Sequence, residues 1–378
     1  MGFQMPITWV IDLICRKQDM TTIDKLLLLI RSALWGEVLQ GEVSKEDLPQ
    51  VMNLAKEQTV YGLAYDAISQ HSGKGQYDKR QAFEAYARTQ KIKKQNVLID
   101  KELKEMVQLF DENNVDYLVV KGQTYSILYP KPEVRMAGDI DFLIHNAYSE
   151  VKEVVERLYS VNLPDKMIEK EIEFKHASVP FELHTSLRTY ALKRHQKVWD
   201  NLVEKEWQEP YFVEVNGVKV RTLSPTLNAA YVFIHLFFHF MREGVALRQL
   251  CDWAMVLHHY QKEIDREALS KMLSDLNLSD AYQAFGTILT DCLGLPVYEF
   301  PLPLGNIDRK WQHKIMKDIF GGGNFGKLHH QSKNSWRFKL ETLQLVIRNA
   351  LRYYGLCPSE IGGMIPRLVK GNLKILFS

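Results

Sequence analysis

Two aspartates, Asp139 and Asp141, stand two positions apart at the start of the stretch Asp-Ile-Asp-Phe-Leu-Ile. The alternation of polar and apolar residues predicts a strand, in which both side chains leave the same face. Carboxylates this close need a cation between them, or a proton on one of them. Carboxylate oxygens are typical ligands of Mg²⁺ or Mn²⁺, and such a metal keeps positions open for phosphate oxygens. The pair predicts a metal site; the alternative is an ordinary pair of solvated strand residues.

A candidate phosphate-binding loop precedes the aspartates. Lys121 and Gly122 follow the run Tyr-Leu-Val-Val at 117–120, which predicts a buried strand, and they stand where a helix is expected to begin. The exposed N–H groups and the dipole of a helix N-terminus favour a phosphate, to which Lys121 can add a charged contact. Gly138, directly before the aspartates, permits a close backbone approach.

Helices are predicted on both sides of these residues. Apolar residues at helical spacing predict a helical region from Thr22 to about Asp100, and a long helix around Asn96 to Asn113 leads into the strand at 117–120. A further helix is expected over Glu150 to Tyr159. Ser224-Pro225 predicts the start of a mostly helical C-terminal half, because proline is tolerated at the first helical position.

Two hairpins are predicted between these helical regions. The alternating runs 171–177 and 181–187, separated by Ser-Val-Pro at 178–180, indicate an antiparallel pair. Asn216-Gly217 between two apolar runs indicates a second one. The chain is therefore expected to be α+β, with a helical N-terminal region over 1–95, a core over 96–223 and a helical C-terminal domain over 224–378.

The composition limits the classes of binding partner that are expected. The 378 residues include 48 Lys and Arg against 46 Asp and Glu, and this net charge of +2 gives no field that would favour a long nucleic acid or an anionic membrane. The longest apolar run, 229–241, is too short to span a bilayer. The four cysteines form no CxxC pair, and the start of the chain has no basic segment of a secretory signal. We expect no transmembrane segment and a cytoplasmic location.

The order in which these candidate site residues occur along the sequence is specific for one family. It resembles the bacterial group usually labelled uncharacterised nucleotidyltransferases, within the polymerase-beta-like nucleotidyltransferase superfamily. The stronger part of the resemblance covers Tyr117 to Leu187, and a weaker part extends through the C-terminal half. It is carried by Lys121-Gly122, Tyr129-Pro130, Arg135, the run Gly138 to Leu143, and Phe181-Glu182-Leu183-His184.

The resemblance implies a small mixed sheet with helices, in which two carboxylates on one strand and a third acid on a neighbouring strand hold two divalent ions. Glu182 matches the third position, next to Asp139 and Asp141. The implied reaction is in-line attack of an acceptor hydroxyl or phosphate on the α-phosphate of a nucleoside triphosphate, with pyrophosphate leaving. Lys121 and Arg135 would hold phosphates. Better-known members of the superfamily have Gly-Ser where this chain has Lys121-Gly122.

Several of these residues have a second interpretation. Arg135 could instead be a surface loop residue. Arg248 and Asp252 could form an ion pair within one helix, or line an acceptor pocket together with His184. His235 and His239 have a spacing that can bind zinc, but burial in an apolar helix is the competing interpretation.

Competing functions remain open from the sequence. The same fold could serve as a catalytically weak or inactive module that binds nucleotide or a partner protein. A metal-dependent phosphohydrolase and an interaction scaffold are further alternatives. The acceptor is not named by any segment, although a small molecule is favoured. The basic tail from Ile361 to Ser378 could dock on a partner or membrane surface, or pack on its own domain.

Overall fold

The computed structural model describes residues 20–38, 43–71, 79–165, 171–304, 309–322 and 335–364. The helices before the first strand are α1 Thr22–Trp35, α2 Leu48–Glu57, α3 Tyr61–His71 and α4 Lys79–Glu112. The central region contains β1 Tyr117–Val120, α5 Gln123–Ser126, β2 Ile140–Ile144, α6 Tyr148–Tyr159, β3 Glu171–His176, β4 Val179–His184, α7 Lys193–Gln208, β5 Tyr211–Val215 and β6 Val218–Thr222. The remaining helices are α8 Pro225–Arg242, α9 Leu247–Tyr260, α10 Arg266–Asp275, α11 Ser279–Asp291, α12 Arg309–Gly322 and α13 Ser335–Arg352.

The larger sheet has four strands in the order β1, β2, β4, β3. The strands β1 and β2 are antiparallel, as are β3 and β4, whereas β2 and β4 run parallel in the middle of the sheet. A separate two-stranded sheet consists of β5 and β6, which turn at Asn216-Gly217 with positive φ at both residues, as a tight hairpin requires. The molecule is thus a mostly helical α+β protein with a small mixed sheet flanked by helices, which confirms the predicted fold class.

The hairpin of β3 and β4 differs from the prediction in its turn. Ala177 and Ser178 form the turn, with φ of 46° and 71°, whereas Val179 and Pro180 already belong to β4. Proline has no N–H for a ladder bond and is expected outside central strands. Pro180 is accommodated because pairing with β2 starts only at Phe181, so no ladder bond to β2 is needed there. The strand also ends at His184 rather than Leu187.

Two apolar cores hold these elements together. One core lies against the sheet and includes Phe110 of α4, Phe142 of β2, Val151 of α6 and Phe181 of β4, all 0% exposed. The other joins helices from both ends of the chain. The predicted boundaries after residues 95 and 223 stay predictions, but the N-terminal and C-terminal helical regions share this second core.

Buried polar contacts reinforce that shared core. The indole Nε1 of Trp35 donates to the carbonyl of Leu293 at 2.5 Å. Gln58 is 0% exposed, its Oε1 accepts from the backbone N of Leu247 at 3.0 Å, and its Nε2 donates to the carbonyl of Ile319 at 3.2 Å. Because each donor and acceptor is satisfied across the interface, the early helices are fixed against α9 and α12.

None of the helices within the described ranges is long and apolar enough to cross a bilayer. The run 229–241 lies inside α8, whose apolar residues pack in the shared core. The predictions for the start of the chain before residue 20 and for the basic tail beyond residue 364 lie outside the described residues. The cytoplasmic location stays a prediction.

Candidate metal and nucleotide site

Strand register places two carboxylates next to each other. Asp141 of β2 is the direct partner of Glu182 in the parallel strand β4. Phe181 and Leu183 are 0% exposed on the core face, so Glu182 and His184 share the opposite face, as the predicted alternation requires. The Asp141 side chain is 1% exposed and that of Glu182 is 22% exposed. The sheet thus brings together acids that lie 41 positions apart in the sequence.

His184 connects these acids. Its Nε2 lies 3.0 Å from Asp141 Oδ1 and 3.2 Å from Glu182 Oε2, and its Nδ1 lies 3.4 Å from Glu171 Oε2. One ligand atom from each of Asp141, Glu182 and His184 lies within 4.8 Å of the others. Two carboxylates and an imidazole this close form a donor set that fits a divalent cation.

The set differs in one member from the predicted trio. Asp139 directly precedes β2, is half-buried and lines the same cleft, but the close cluster consists of Asp141, Glu182 and His184. His184 was predicted only for an acceptor pocket. Its period-two spacing from Glu182 was visible in the sequence, whereas its convergence on Asp141 depends on how the strands pair.

The Lys121-Gly122 loop contacts the cluster directly. The Lys121 ammonium lies 2.8 Å from Asp141 Oδ1, and its side chain is 14% exposed. Lys121 and Gly122 both have positive φ, 64° and 56°, which is strained for lysine and places the two residues in a tight turn before α5. A Cβ on Gly122 would lie 3.1 Å from the carbonyl of Asp139. The turn therefore holds the backbone of both predicted motifs in close contact.

Charge in the cluster is strongly coupled. Burial opposes ionisation of Asp141, but the Lys121 ammonium and the hydrogen bond from His184 hold its pKa below the ordinary value. Burial opposes the charged His184 ring as well, yet its bonds to Asp141, Glu171 and Glu182 raise its pKa well above the usual range. Burial and the neighbouring Asp141 and Asp139 charges raise the pKa of Glu182 to about 7. One carboxylate is thus firmly ionised while its neighbour titrates near neutrality.

Arg135 and Asp252 form a buried pair beside this cluster. Arg135 is 1% exposed, and its Nε and Nη2 donate to the two oxygens of Asp252 at 2.7 and 2.9 Å. The Tyr129 hydroxyl donates to the same carboxylate at 2.6 Å, whereas Arg248 lies 3.9 Å from it. The interpretation of Arg135 as a surface residue is therefore wrong. A role for Arg135 with phosphates stays a prediction.

These residues line one cleft with a volume of about 780 Å³. His235 and His239 of α8 line it too, with ring centroids 4.3 Å apart, so these half-buried histidines face the cleft rather than only the apolar core. Burial is the main cause that lowers the pKa of His235 far below its usual range, and the Lys121 charge adds to it. The chemical side chains of the cleft are Lys121, Arg135, Asp139, Asp141, Glu171, Glu173, Glu182, His184, Arg188, His235, His239, Arg242, Glu243, Arg248 and Asp252.

Comparison with known proteins decides the family. The sequence pattern of a family described as Uncharacterised nucleotidyltransferase matches residues 44–294, which include both strands that carry the acids. The chain belongs to this family. One solved structure similar to this nucleotidyltransferase family member is an antigenic nucleotidyltransferase-like protein from Paracoccidioides brasiliensis. It is 14% identical, with a TM-score of 0.31, and the similarity covers 52% of this chain and 92% of that one. No curated protein matches the chain.

Proposed function

We propose that the protein transfers a nucleoside monophosphate from a nucleoside triphosphate to a small-molecule acceptor, with release of pyrophosphate. The observation that carries the proposal is the register of Asp141 against Glu182, with His184 between them and Lys121 on Asp141. Membership of a nucleotidyltransferase family supports the same reaction class.

Asp141, Glu182 and His184 would hold the metal, with Asp139 beside them in the cleft. His184, whose pKa is raised by its acidic neighbours, would lose its ring proton when the cation binds, because only a neutral imidazole ligates a metal. Mg²⁺ or Mn²⁺ suits carboxylate oxygens and, when bound, would neutralise negative charge that develops on the reacting phosphate. The chain itself supplies the geometry. Strand pairing fixes the two carboxylates, and the strained turn at Lys121-Gly122 fixes the ammonium on Asp141.

The phosphates of the triphosphate would meet Lys121 and the backbone of Gly122 and Gly138. A Cβ at Gly138 would touch nothing within 4 Å, so the protein leaves that side of the backbone open to a ligand. Lys121 can donate to a phosphate oxygen while it keeps its bond to Asp141, because its ammonium has three N–H donors. Arg135 would act on phosphates only through its remaining Nη1, which has no hydrogen-bond partner among the described residues.

The proposed reaction forms one bond at the α-phosphorus and breaks another. The acceptor oxygen bonds to the α-phosphorus while the bond from that phosphorus to the oxygen bridging to the β-phosphate breaks, and pyrophosphate leaves with the electron pair. When the acceptor is a hydroxyl, its proton passes to a carboxylate oxygen of Glu182. Burial is the main cause that raises the pKa of Glu182 to about 7 in the metal-free protein, and a bound cation would lower that pKa, so the carboxylate would be ionised and able to accept the proton at neutral pH.

One observation favours a second function. Lys121 and His184 already supply positive partners to Asp141 within the chain, at 2.8 and 3.0 Å. A site whose acid is satisfied in this way could bind a nucleotide without turning it over. The alternative function is therefore a nucleotide-binding or partner-binding module on the same fold.

The test follows the fate of a label on the α- or the γ-phosphorus of the triphosphate. The protein is incubated with Mg²⁺ or Mn²⁺, a mixture of small metabolites, and each of the four nucleoside triphosphates labelled on either the α- or the γ-phosphorus. Nucleotidyl transfer moves the α label into a new product and releases the γ label as pyrophosphate. Asp141→Asn and Glu182→Gln are expected to reduce transfer by about 100-fold or more, because they remove charged ligands. Glu214→Gln is the matched control, because Glu214 is an exposed strand glutamate of β5 that does not line this cleft.

Two results would reject the proposal. Release of the γ label as inorganic phosphate would indicate a phosphohydrolase. Stoichiometric binding of a triphosphate without release of pyrophosphate, across the whole acceptor mixture, would indicate the binding module.

A further inference from the structure

Arginines form a second wall of the cleft, on elements different from those that carry the acids. Arg188 lies in the loop between β4 and α7, Arg242 is the last residue of α8, and Arg248 is the second residue of α9. All three line the cleft that contains Asp141 and Glu182.

Arg188 is the centre of this wall. Its guanidinium carbon lies 3.5 Å from the centroid of the Phe238 ring, and its Nε is buried without a hydrogen-bond partner among the described residues. Burial is the main reason that its pKa falls to about 10, and the nearby Arg242 charge lowers it further. Burying a cation costs free energy unless an anion compensates it.

Glu360, the acid that acts electrostatically on Arg188, already has other hydrogen-bond partners. It raises the pKa of Arg188, but its carboxylate lies 3.0 Å from His195 Nδ1 and accepts from the backbone N of Ala191. Within the described ranges, none of the ion pairs of 4.0 Å or less includes Arg188. The stacked guanidinium therefore lines the cleft without an acid partner among the described residues.

The two other arginines extend the charge towards solvent. Arg242 is exposed, and Arg248 is 17% exposed, 3.9 Å from the Asp252 carboxylate, whose two oxygens already accept from Arg135. Two acids also line the cleft beside these arginines: Glu243, 3.7 Å from His239, and Asp252, which is paired with Arg135. With Arg135 counted, four arginines stand against these two acids, so the net charge of this group is positive.

We propose that Arg188, Arg242 and Arg248 form an anion-binding subsite for a phosphate or carboxylate group of the acceptor. This inference rests on the proposed nucleotidyl transfer, because it assigns the acceptor to the arginines of the same cleft. Guanidinium groups form paired, charge-assisted hydrogen bonds with planar or tetrahedral oxyanions, which suits a phosphate ester or a carboxylic acid. The acceptor class is thus a small anionic molecule.

Calorimetric titration with inorganic phosphate tests the subsite, with and without a saturating non-hydrolysable triphosphate analogue and Mg²⁺. The unmodified protein is expected to bind phosphate in both conditions. Arg188→Gln and Arg242→Gln should each weaken phosphate binding by about tenfold or more, which is the loss of one charge-assisted hydrogen bond, while the affinity for the analogue changes less than twofold. Arg88→Gln is the control, because Arg88 also stacks on a ring, that of Tyr61 at 5.0 Å, but lies outside this cleft.

Thermal unfolding separates binding from folding. Arg242 is exposed, so its variant keeps the fold and carries the test even if Arg188→Gln lowers the melting temperature. The subsite is refuted if phosphate does not bind, if neither variant weakens it, or if both variants weaken the triphosphate analogue as much as phosphate. Phosphate binding that is lost in both variants, in a protein that binds no triphosphate, would refute the nucleotidyl transfer and support the anion subsite.

Discussion

The guanidinium of Arg135 and the carboxylate of Asp252 form two hydrogen bonds, at 2.7 and 2.9 Å, between segments that lie 117 residues apart. Arg135 lies in the segment that leads into β2, and Asp252 lies on α9. The pair fixes the C-terminal helices against the strand that carries Asp141. Both side chains are buried, at 1% and 7% exposed, so neither charge can turn to solvent when the other is removed.

Asp252→Asn is expected to destabilise the protein by about 3–5 kcal/mol, because it leaves Arg135 as an uncompensated buried charge. Urea unfolding at neutral pH measures the loss. Lys271→Met breaks the exposed pair between Lys271 and Asp275 and should cost less than about 1 kcal/mol. Equal losses in the two variants would contradict the buried pair as a stabilising contact.

Acid should weaken the fold through the same carboxylate. Burial opposes ionisation of Asp252, but the charge and hydrogen bonds of Arg135 hold its pKa below the ordinary value. The unfolded chain, with an aspartate pKa of about 3.9, therefore takes up this proton first as the pH falls. The contribution of Asp252 is fully present above that value and is lost as the pH falls through the lower pKa of the folded state.

We expect the free energy of unfolding to fall progressively as the pH is lowered below about 5, with a shallower slope in Asp252→Asn. Asp141 keeps part of the slope, because its pKa is lowered too. Urea titrations at several pH values measure both slopes. Parallel slopes in the two proteins would exclude Asp252 as a source of acid sensitivity.

Glu182→Gln should separate metal binding from stability. The pKa of Glu182 is raised to about 7, mainly by burial, so the folded state disfavours its ionised form at neutral pH. A neutral amide removes that cost, and the melting temperature in chelator should stay equal or rise. The stabilisation by Mn²⁺ should disappear, because a ligand stabilises only the state that binds it.

Differential scanning fluorimetry with EDTA or Mn²⁺ makes this comparison, with Glu214→Gln as the control. Glu214 is exposed on β5 and does not line the cleft. A Mn²⁺ shift of normal size in Glu182→Gln would exclude that carboxylate as a ligand.

Gly62 and Gly138 should differ in how an alanine substitution affects the free energy of unfolding. A Cβ at Gly62 of α3 would lie 2.0 Å from the carbonyl oxygen of Val134, the residue before Arg135, so Gly62→Ala should destabilise by about 1–3 kcal/mol. A Cβ at Gly138 would meet nothing, and Gly138→Ala should leave the unfolding free energy unchanged while weakening triphosphate binding. Urea unfolding and calorimetry measure the two effects. Unchanged nucleotide affinity in Gly138→Ala would remove this glycine from the proposed phosphate contacts.

Local pattern was enough to predict the strands of the site. The alternation in β4 placed Glu182 and His184 on one face, and Asn216-Gly217 predicted the second hairpin, because these features depend only on neighbouring residues. Pro180 misled the prediction of the turn. Proline disfavours a strand where a neighbouring strand needs its N–H as a donor. The pairing of β4 with β2 starts only at Phe181, and this depends on how the sheet is assembled rather than on the local sequence.

Contacts between distant segments could not be predicted from the sequence. The sequence suggested that Asp252 pairs with Arg248 four positions away, whereas the folded chain gives Asp252 two closer bonds to Arg135. The position of His184 on Asp141 has the same origin, because it requires the parallel pairing of β2 and β4. The roles proposed for Lys121, Arg135 and the cleft arginines stay predictions.

The apolar core shared by the first and last helices determines when the protein can finish folding during its synthesis. Trp35 and Gln58 leave the ribosome early, but their partners Leu293 and Ile319 follow more than 250 residues later. At about 5–20 residues per second, the early helices wait on the order of ten seconds or longer with apolar faces uncovered. Nascent chains stalled before residue 290 should therefore recruit chaperones at these helices, and release from the chaperone should follow translation of α12.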